Sequence, residues 1–218
     1  MPIPQLWLFA GPNGAGKSTF TQFPEWSRHI SHFLNADELT RQLLNEQGFP
    51  TFAATPPETL ARANLIAAEK VFSEVCRLLE AGEAVAVETV LSTDKYRPVV
   101  EKLRRAGGIF NLIYVGLRSP ELSRQRVASR VAKGGHPVPE EKLAGRWRRS
   151  LEHLPWFAHR ADHFYIYDNS DSDPAHAPAL VARAGASPGC LQLVSRAANP
   201  PLAEALLDSK LFHSVQGM

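Results

Sequence analysis

Near the start of the chain, Gly11 to Ser18 read GPNGAGKS, which fits the pattern G-x-x-x-x-G-K-[ST] in full. The spacing suits a triphosphate. A loop wrapped round phosphates must turn its backbone N–H groups inward, and a β-carbon would obstruct that at Gly11, Gly14 and Gly16. Pro12, Asn13 and Ala15 complete the cradle. Lys17 has the reach for the β- and γ-phosphates, Ser18 offers a hydroxyl to Mg²⁺, and Thr19 follows in the same turn. The helix that begins here presents its positive end to the anion. ATP is the expected nucleotide, because the chain has no guanine-reading N-K-x-D run.

A phosphate cradle alone does not separate a kinase from an ATPase or a switch. Three further stretches bear on that choice. In FLNADEL, Asp37 follows a short apolar run, so its carboxylate is expected at the carboxyl edge of a sheet, where ligands of open α/β folds bind. There it can take the proton of an attacking hydroxyl. Asp is also a favoured helix N-cap, and capping is the alternative reading. In VAVETVLS, Glu88 and Thr89 end an apolar strand on the same edge. A carboxylate there suits Mg²⁺ through a water, or a substrate hydroxyl. In the third stretch Arg126, Arg130, Lys133, Arg146, Arg148 and Arg149 flank a glycine–histidine loop with His136. Two helices on a glycine hinge make a lid whose arginines neutralise a migrating phosphoryl group. The nearest candidate for an apolar strand ending in a metal-binding aspartate is FYIYD, at Asp168. YDNS reads better as the loop after a last strand, which favours a small kinase over a mechanical ATPase.

These residues need a scaffold, and the pattern supplies one. Apolar runs at 5–10, 31–36, 83–89, 110–117 and 163–169 read as strands. Between them, helical patterns cover about 37–46, 56–82, 94–106, 119–132 and 139–153. In the longest, Leu65, Ala68, Phe72, Val75 and Leu79 mark the face expected to be buried. Short apolar strands separated by helices predict a three-layer α/β fold of the P-loop NTPase, small-kinase type, its mostly parallel sheet covered on both faces. The 218 residues suit a single domain, 1–218, with its core at about 5–170. The segment 171–218 is expected to be a loop-rich extension packed on that core, with a strand near CLQLV and a helix near 201–208.

Composition narrows the partners. A net charge of +2 argues against bulk nucleic-acid or membrane binding. Two cysteines without metal or disulfide spacing, and no leader-like apolar stretch, point to a reducing, cytoplasmic setting.

Taken in order, GPNGAGKST, NADE, ETVLS, R-V-A-x-G-G-H-x-V-P, R-x-x-x-S-L and YDNS resemble the zeta-toxin family of P-loop kinases, in particular its chromosomal members with the G-G-H loop. The resemblance spans about residues 5–170. It implies ATP- and Mg²⁺-dependent phosphorylation of a UDP-N-acetylamino sugar, with the 3′-hydroxyl of UDP-N-acetylglucosamine as the leading acceptor, and an antitoxin protein as partner. By matching position it implies Lys17 and Ser18 on nucleotide and metal, Asp37 as base and Glu88 on the substrate. Thr89 beside Glu88 and His136 on the loop are further candidates for the substrate, His136 reading equally as a phosphate contact or a loop cap. It places two phosphate-stabilising arginines within 126–149: Arg130 and Arg146, with Arg149 the next choice. The chain departs from the toxin members at Val90, where they often carry a threonine. A kinase for nucleic-acid 5′-ends, or an ATP-binding protein without transfer activity, remain alternatives.

Overall fold

The structure is a computed structural model that describes residues 2–171, 173, 176–185 and 189–212, with the backbone of 214–216. Its centre is a parallel sheet of β1 (Gln5–Ala10), β2 (His32–Leu34), β3 (Ala84–Thr89), β4 (Ile109–Gly116) and β5 (His163–Asp168). The sheet continues through β6 (Ala179–Ala184), β7 (Cys190–Leu193) and β8 (Ser214–Gln216), in the order β2-β3-β1-β4-β5-β6-β7-β8. β6 runs antiparallel to β5 and to β7, while β7 and β8 are parallel. This is the mostly parallel α/β architecture of a P-loop NTPase.

The two faces of the sheet are covered unequally. Leu6 and Leu8 of β1, Phe110, Leu112 and Tyr114 of β4, and Phe164 and Ile166 of β5 point to one side. They pack against the long helices α4 (Pro57–Glu80), α5 (Arg97–Arg105), α7 (Glu140–Arg160) and α8 (Pro200–Asp208). Trp7, Phe9, Ile113 and Val115 point to the other. Over them lie α1 (Lys17–Phe20), α2 (Pro24–Ser27), α6 (Pro120–Ala132) and Trp147 of α7, with Phe23 and Ile30 of the connecting segments. The helix after the phosphate loop is thus a single turn, with Pro24 opening a second one.

Three expectations need correction. In α4 the buried line is Ala63, Ala67, Val71, Val75 and Leu78, whereas Leu65 is 61% exposed. Val71, Val75 and Leu78 pack on the sheet, and Ala63 packs on Leu44 of α3 (Ala36–Glu46), so the buried line lies to one side of the expected one. The helix expected to end near residue 153 runs to Arg160 through Pro155. The missing N–H there costs about 3 kcal/mol, set against burial of Leu154, Phe157 and Ala158 in the core. After residue 170 the chain carries β7 and α8 where a strand and a helix were expected, and also β6 and β8.

The aspartate closing β5 explains how that segment is attached. Asp168 is buried and accepts hydrogen bonds from Ser170 Oγ (2.5 Å) and Asn199 Nδ2 (2.7 Å), with Arg118 at 3.4 Å. Asn199 also caps α8 by accepting from the Leu202 N–H. Asn199→Ala removes both contacts and should cost about 2–3 kcal/mol, read as a lower midpoint in denaturant unfolding.

Candidate active site

The phosphate loop leaves β1 at the carboxyl edge of the sheet and is held from behind. Gly11 has φ +138°, and a β-carbon there would sit 2.0 Å from the Val115 carbonyl oxygen. Gly16 is the left-handed N-cap of α1 and lies against Asn169, whose Nδ2 donates to the Ala15 carbonyl at 2.8 Å. Ser123 donates to the Asn13 carbonyl at 2.6 Å, and Arg126 holds the Asn169 carbonyl. The loop is therefore fixed by α6 and by the turn after β5. Arg126 is committed to that turn, through Asn169 and Asp171.

On the open side of the loop, Lys17 is 6% exposed; its Nζ donates to the Pro12 carbonyl at 3.2 Å and lies 3.6 Å from Glu88 Oε1. Glu88 Oε2 accepts from Ser18 Oγ (3.0 Å) and from Asn35 Nδ2 (3.1 Å). β3 lies between β1 and β2, so its last residues reach the loop on one side and Asn35 on the other. Asn35 in turn accepts from the N–H groups of Asp37 and Glu38. The N-cap of α3 is thus Asn35, and the Asp37 side chain is spared that task. Sequence reasoning passed over Asn35, although an Asn just ahead of a helix is itself a cap signal.

Asp37 is 52% exposed, and its Oδ1 lies 3.7 Å from His136 Nε2. His136 sits on the 133–139 link between α6 and α7. Its ring meets Phe52 edge-on at 4.9 Å, and its carbonyl accepts from Arg130 (2.6 Å). Arg146 feels both Asp37 and Arg149 and is held below the usual guanidinium range, chiefly by burial. The six positions Lys17, Ser18, Glu88, Asp37, His136 and Arg146 therefore gather at one edge. Arg149 donates from Nε to the Ser92 carbonyl (3.1 Å), on the turn that follows Glu88 and Thr89, and lies near enough to Arg146 to act on its charge. Arg148 pairs only with Glu152 on the surface. The Thr89 hydroxyl accepts from the Leu91 N–H and shapes the turn, in which Leu91 has φ +59°. Thr19 lies exposed on α1.

Burial holds His136 below the ordinary imidazole range; Asp37 opposes this, while Arg130, Arg146 and Arg41 reinforce it. A histidine that binds protons less readily when folded stabilises the chain fully above its unfolded pKa of about 6.5, and that contribution is lost as pH falls below it. His136→Gln should therefore flatten part of the decline in melting temperature between about pH 7 and pH 5. His153, also held down by burial and by Arg97, supplies another part. An identical profile in the variant would show that protonating His136 costs the fold nothing.

Ser18 Oγ and Glu88 Oε2, 3.0 Å apart, form a hard-oxygen pair that fits Mg²⁺. Among the described residues no group of three or more His, Cys, Asp or Glu could hold a metal, so phosphate oxygens and water would complete the shell.

A family model described as an AAA domain matches residues 6–154. The chain belongs to the AAA domain family. Its match takes in the phosphate loop, Asp37, Glu88 and the arginine-bearing α6 and α7. Solved structures resemble this AAA domain at low identity. The PezAT chromosomal toxin–antitoxin system of Streptococcus pneumoniae aligns with TM-score 0.56 and 18% identity, over 95% of this chain and 79% of that one. A kinase candidate from Chloroflexus aurantiacus gives 0.51 and 19%, over 67% and 78%. AvrRxo1-ORF1:ORF2 with ATP gives 0.57 and 13%, over 84% of this chain but 58% of that one. At such identities the likeness establishes the α/β P-loop NTPase fold. No curated protein matches the sequence. No helix among the described residues is long and apolar enough to cross a membrane.

Proposed function

We propose that the chain is an ATP-dependent kinase that phosphorylates an alcohol, with Asp37 as the base. One observation carries this reading. Glu88 ties Lys17 and Ser18 of the phosphate loop to Asn35, the cap of the helix that bears Asp37. A half-exposed carboxylate, with His136 3.7 Å away and Arg146 near it, is thereby tied to the phosphate cradle. The acceptor oxygen bonds to the γ-phosphorus as the bond to the β,γ-bridging oxygen breaks; its proton passes to Asp37 and ADP leaves. Loop N–H groups and Lys17 hold the phosphates. Arg130 and Arg146 offset the charge of the migrating group, with Arg149 beside Arg146 as the next choice. Magnesium would draw charge from the β- and γ-oxygens, held by Ser18 with Glu88 beside it. His136 orients Asp37 and borders the acceptor, as does Thr89.

The acceptor we favour is a UDP-N-acetylamino sugar, UDP-N-acetylglucosamine at its 3′-hydroxyl. The motif order and the likeness to the PezAT structure support it, as they support an antitoxin-type protein partner. The reading takes 1–218 as one kinase domain working in the cytoplasm. A transfer screen with ATP against UDP-sugars and 5′-hydroxyl oligonucleotides tests it. Phosphate on a UDP-sugar supports it, label on the oligonucleotide alone moves the chain to end-kinases, and hydrolysis without any acceptor removes the base from Asp37.

A further inference from the structure

The thinly covered face of the sheet holds a second cleft, at the opposite end of the strands from the phosphate loop. In register across β1, β4 and β5 lie Trp7, Asn111 and His163, and one step on Phe9, Ile113 and Tyr165. By the alternation of the pleat all of these side chains leave the sheet on the same side. The single turns α1 and α2, separated around Pro24, do not cover that side completely. What remains is a cleft of about 470 Å³ whose walls include Trp7, Trp26, His29 and Tyr165. That is ample for one planar ring system with its substituent.

The walls are flat. Trp7 and His29 lie parallel, with centroids 6.1 Å apart and planes 6° from each other. Trp26 leans on both Trp7 (6.1 Å) and Tyr165 (5.1 Å). Asn111 lines the floor. It is 2% exposed, a lone amide within the apolar strand IFNLIYVG, and its Nδ2 has no hydrogen-bond partner. Trp26 Nε1 is likewise buried and unpartnered. An unmet buried donor destabilises a fold by about 1–3 kcal/mol, so two on one small cleft call for an occupant. Both unmet atoms are donors. They ask for a flat molecule with an acceptor-bearing edge.

We propose that this cleft is a second ligand site that takes a purine base, with the ring lying against the tryptophan and tyrosine faces. Its acceptor edge is met by Asn111 Nδ2 and Trp26 Nε1, which are enclosed in the empty cleft and turn into it as the ring enters. A guanine edge, with N7 and O6 both accepting, matches two donors better than an adenine edge, where N6 donates. Arg28 at the mouth faces the sugar or phosphate side, and Glu25 beside it disfavours a highly charged tail. The site is independent of the phosphate loop and of whichever acceptor the loop serves.

The test is a titration of the full chain with guanosine and adenosine, followed by tryptophan emission and by calorimetry. Saturable quenching by guanosine is expected below about 1 mM. Asn111→Leu and Trp26→Leu should each weaken it about tenfold or more. ATP binding and any transfer activity should stay as in the parent. Asn111→Leu should also melt no lower than the parent, because it removes an unpaired polar group. Absence of saturable binding by either nucleoside would overturn the proposal. So would equal affinity in both variants, since the signal would then come from the base pocket of the phosphate loop.

Discussion

Lys17→Ala is expected to cut phosphoryl transfer by about 10²–10³-fold or more and to weaken ATP binding at the same time. The side chain is almost wholly enclosed, and its Nζ is anchored between the Pro12 carbonyl and Glu88. Its charge is therefore fixed in place before any phosphate arrives and costs no reorganisation during the reaction. Truncation does two things. It removes the cation facing the phosphates, and it leaves Glu88 supported only by Ser18 and Asn35. An anion with less compensation then stands beside an anionic ligand. The loss should appear both in kcat, by coupled ADP release, and in the ATP dissociation constant, by calorimetry. The fold itself should survive, because Val115, Ser123 and Asn169 brace the loop from the other side. An unchanged ATP dissociation constant would mean that Lys17 does not meet the phosphates.

Asp37→Asn should separate binding from chemistry. The substitution keeps shape and leaves Asn35 capping α3 through the same backbone N–H groups. It removes the proposed proton acceptor, for which a loss of about 10²–10⁴-fold in transfer is expected. ATP affinity should change little, because Lys17, Ser18 and the loop amides are untouched. Stability should fall by no more than about 1 kcal/mol, the share of one carboxylate at a helix N-terminus. The expected signature is a lower kcat, an unchanged ATP constant and a near-native unfolding midpoint. Full transfer by the variant would remove Asp37 from the role of base and leave His136, 3.7 Å away, as the neighbour to examine next.

The local features were plain from residue types. Apolar runs marked β1, β3 and β4, because a strand buried on both faces cannot alternate. Glycine and lysine spacing marked the phosphate loop, because the backbone there must approach an anion closely. What single-chain periodicity misjudged was orientation. In α4, Leu65 looked like core and lies in solvent, since the packing partner selects among overlapping apolar stripes. A helix end was expected near residue 153, but core burial on either side of Pro155 carries α7 onward.

The sequence alone determined a nucleotide loop at the end of a first strand, acidic residues closing two later strands, and an arginine-rich hinge further on. Those are short-range facts, encoded by neighbours along the chain. Only the tertiary structure decided which groups meet. Glu88 reaches Lys17 and Ser18 because β3 lies beside β1; Asn35 relieves Asp37 of capping; Arg126 is drawn off to brace the loop. The cleft under Trp26 is the same kind of fact, since strand register sets Asn111 beside Trp7. Contacts between residues scores of positions apart depend on strand order and register, and no local pattern records either.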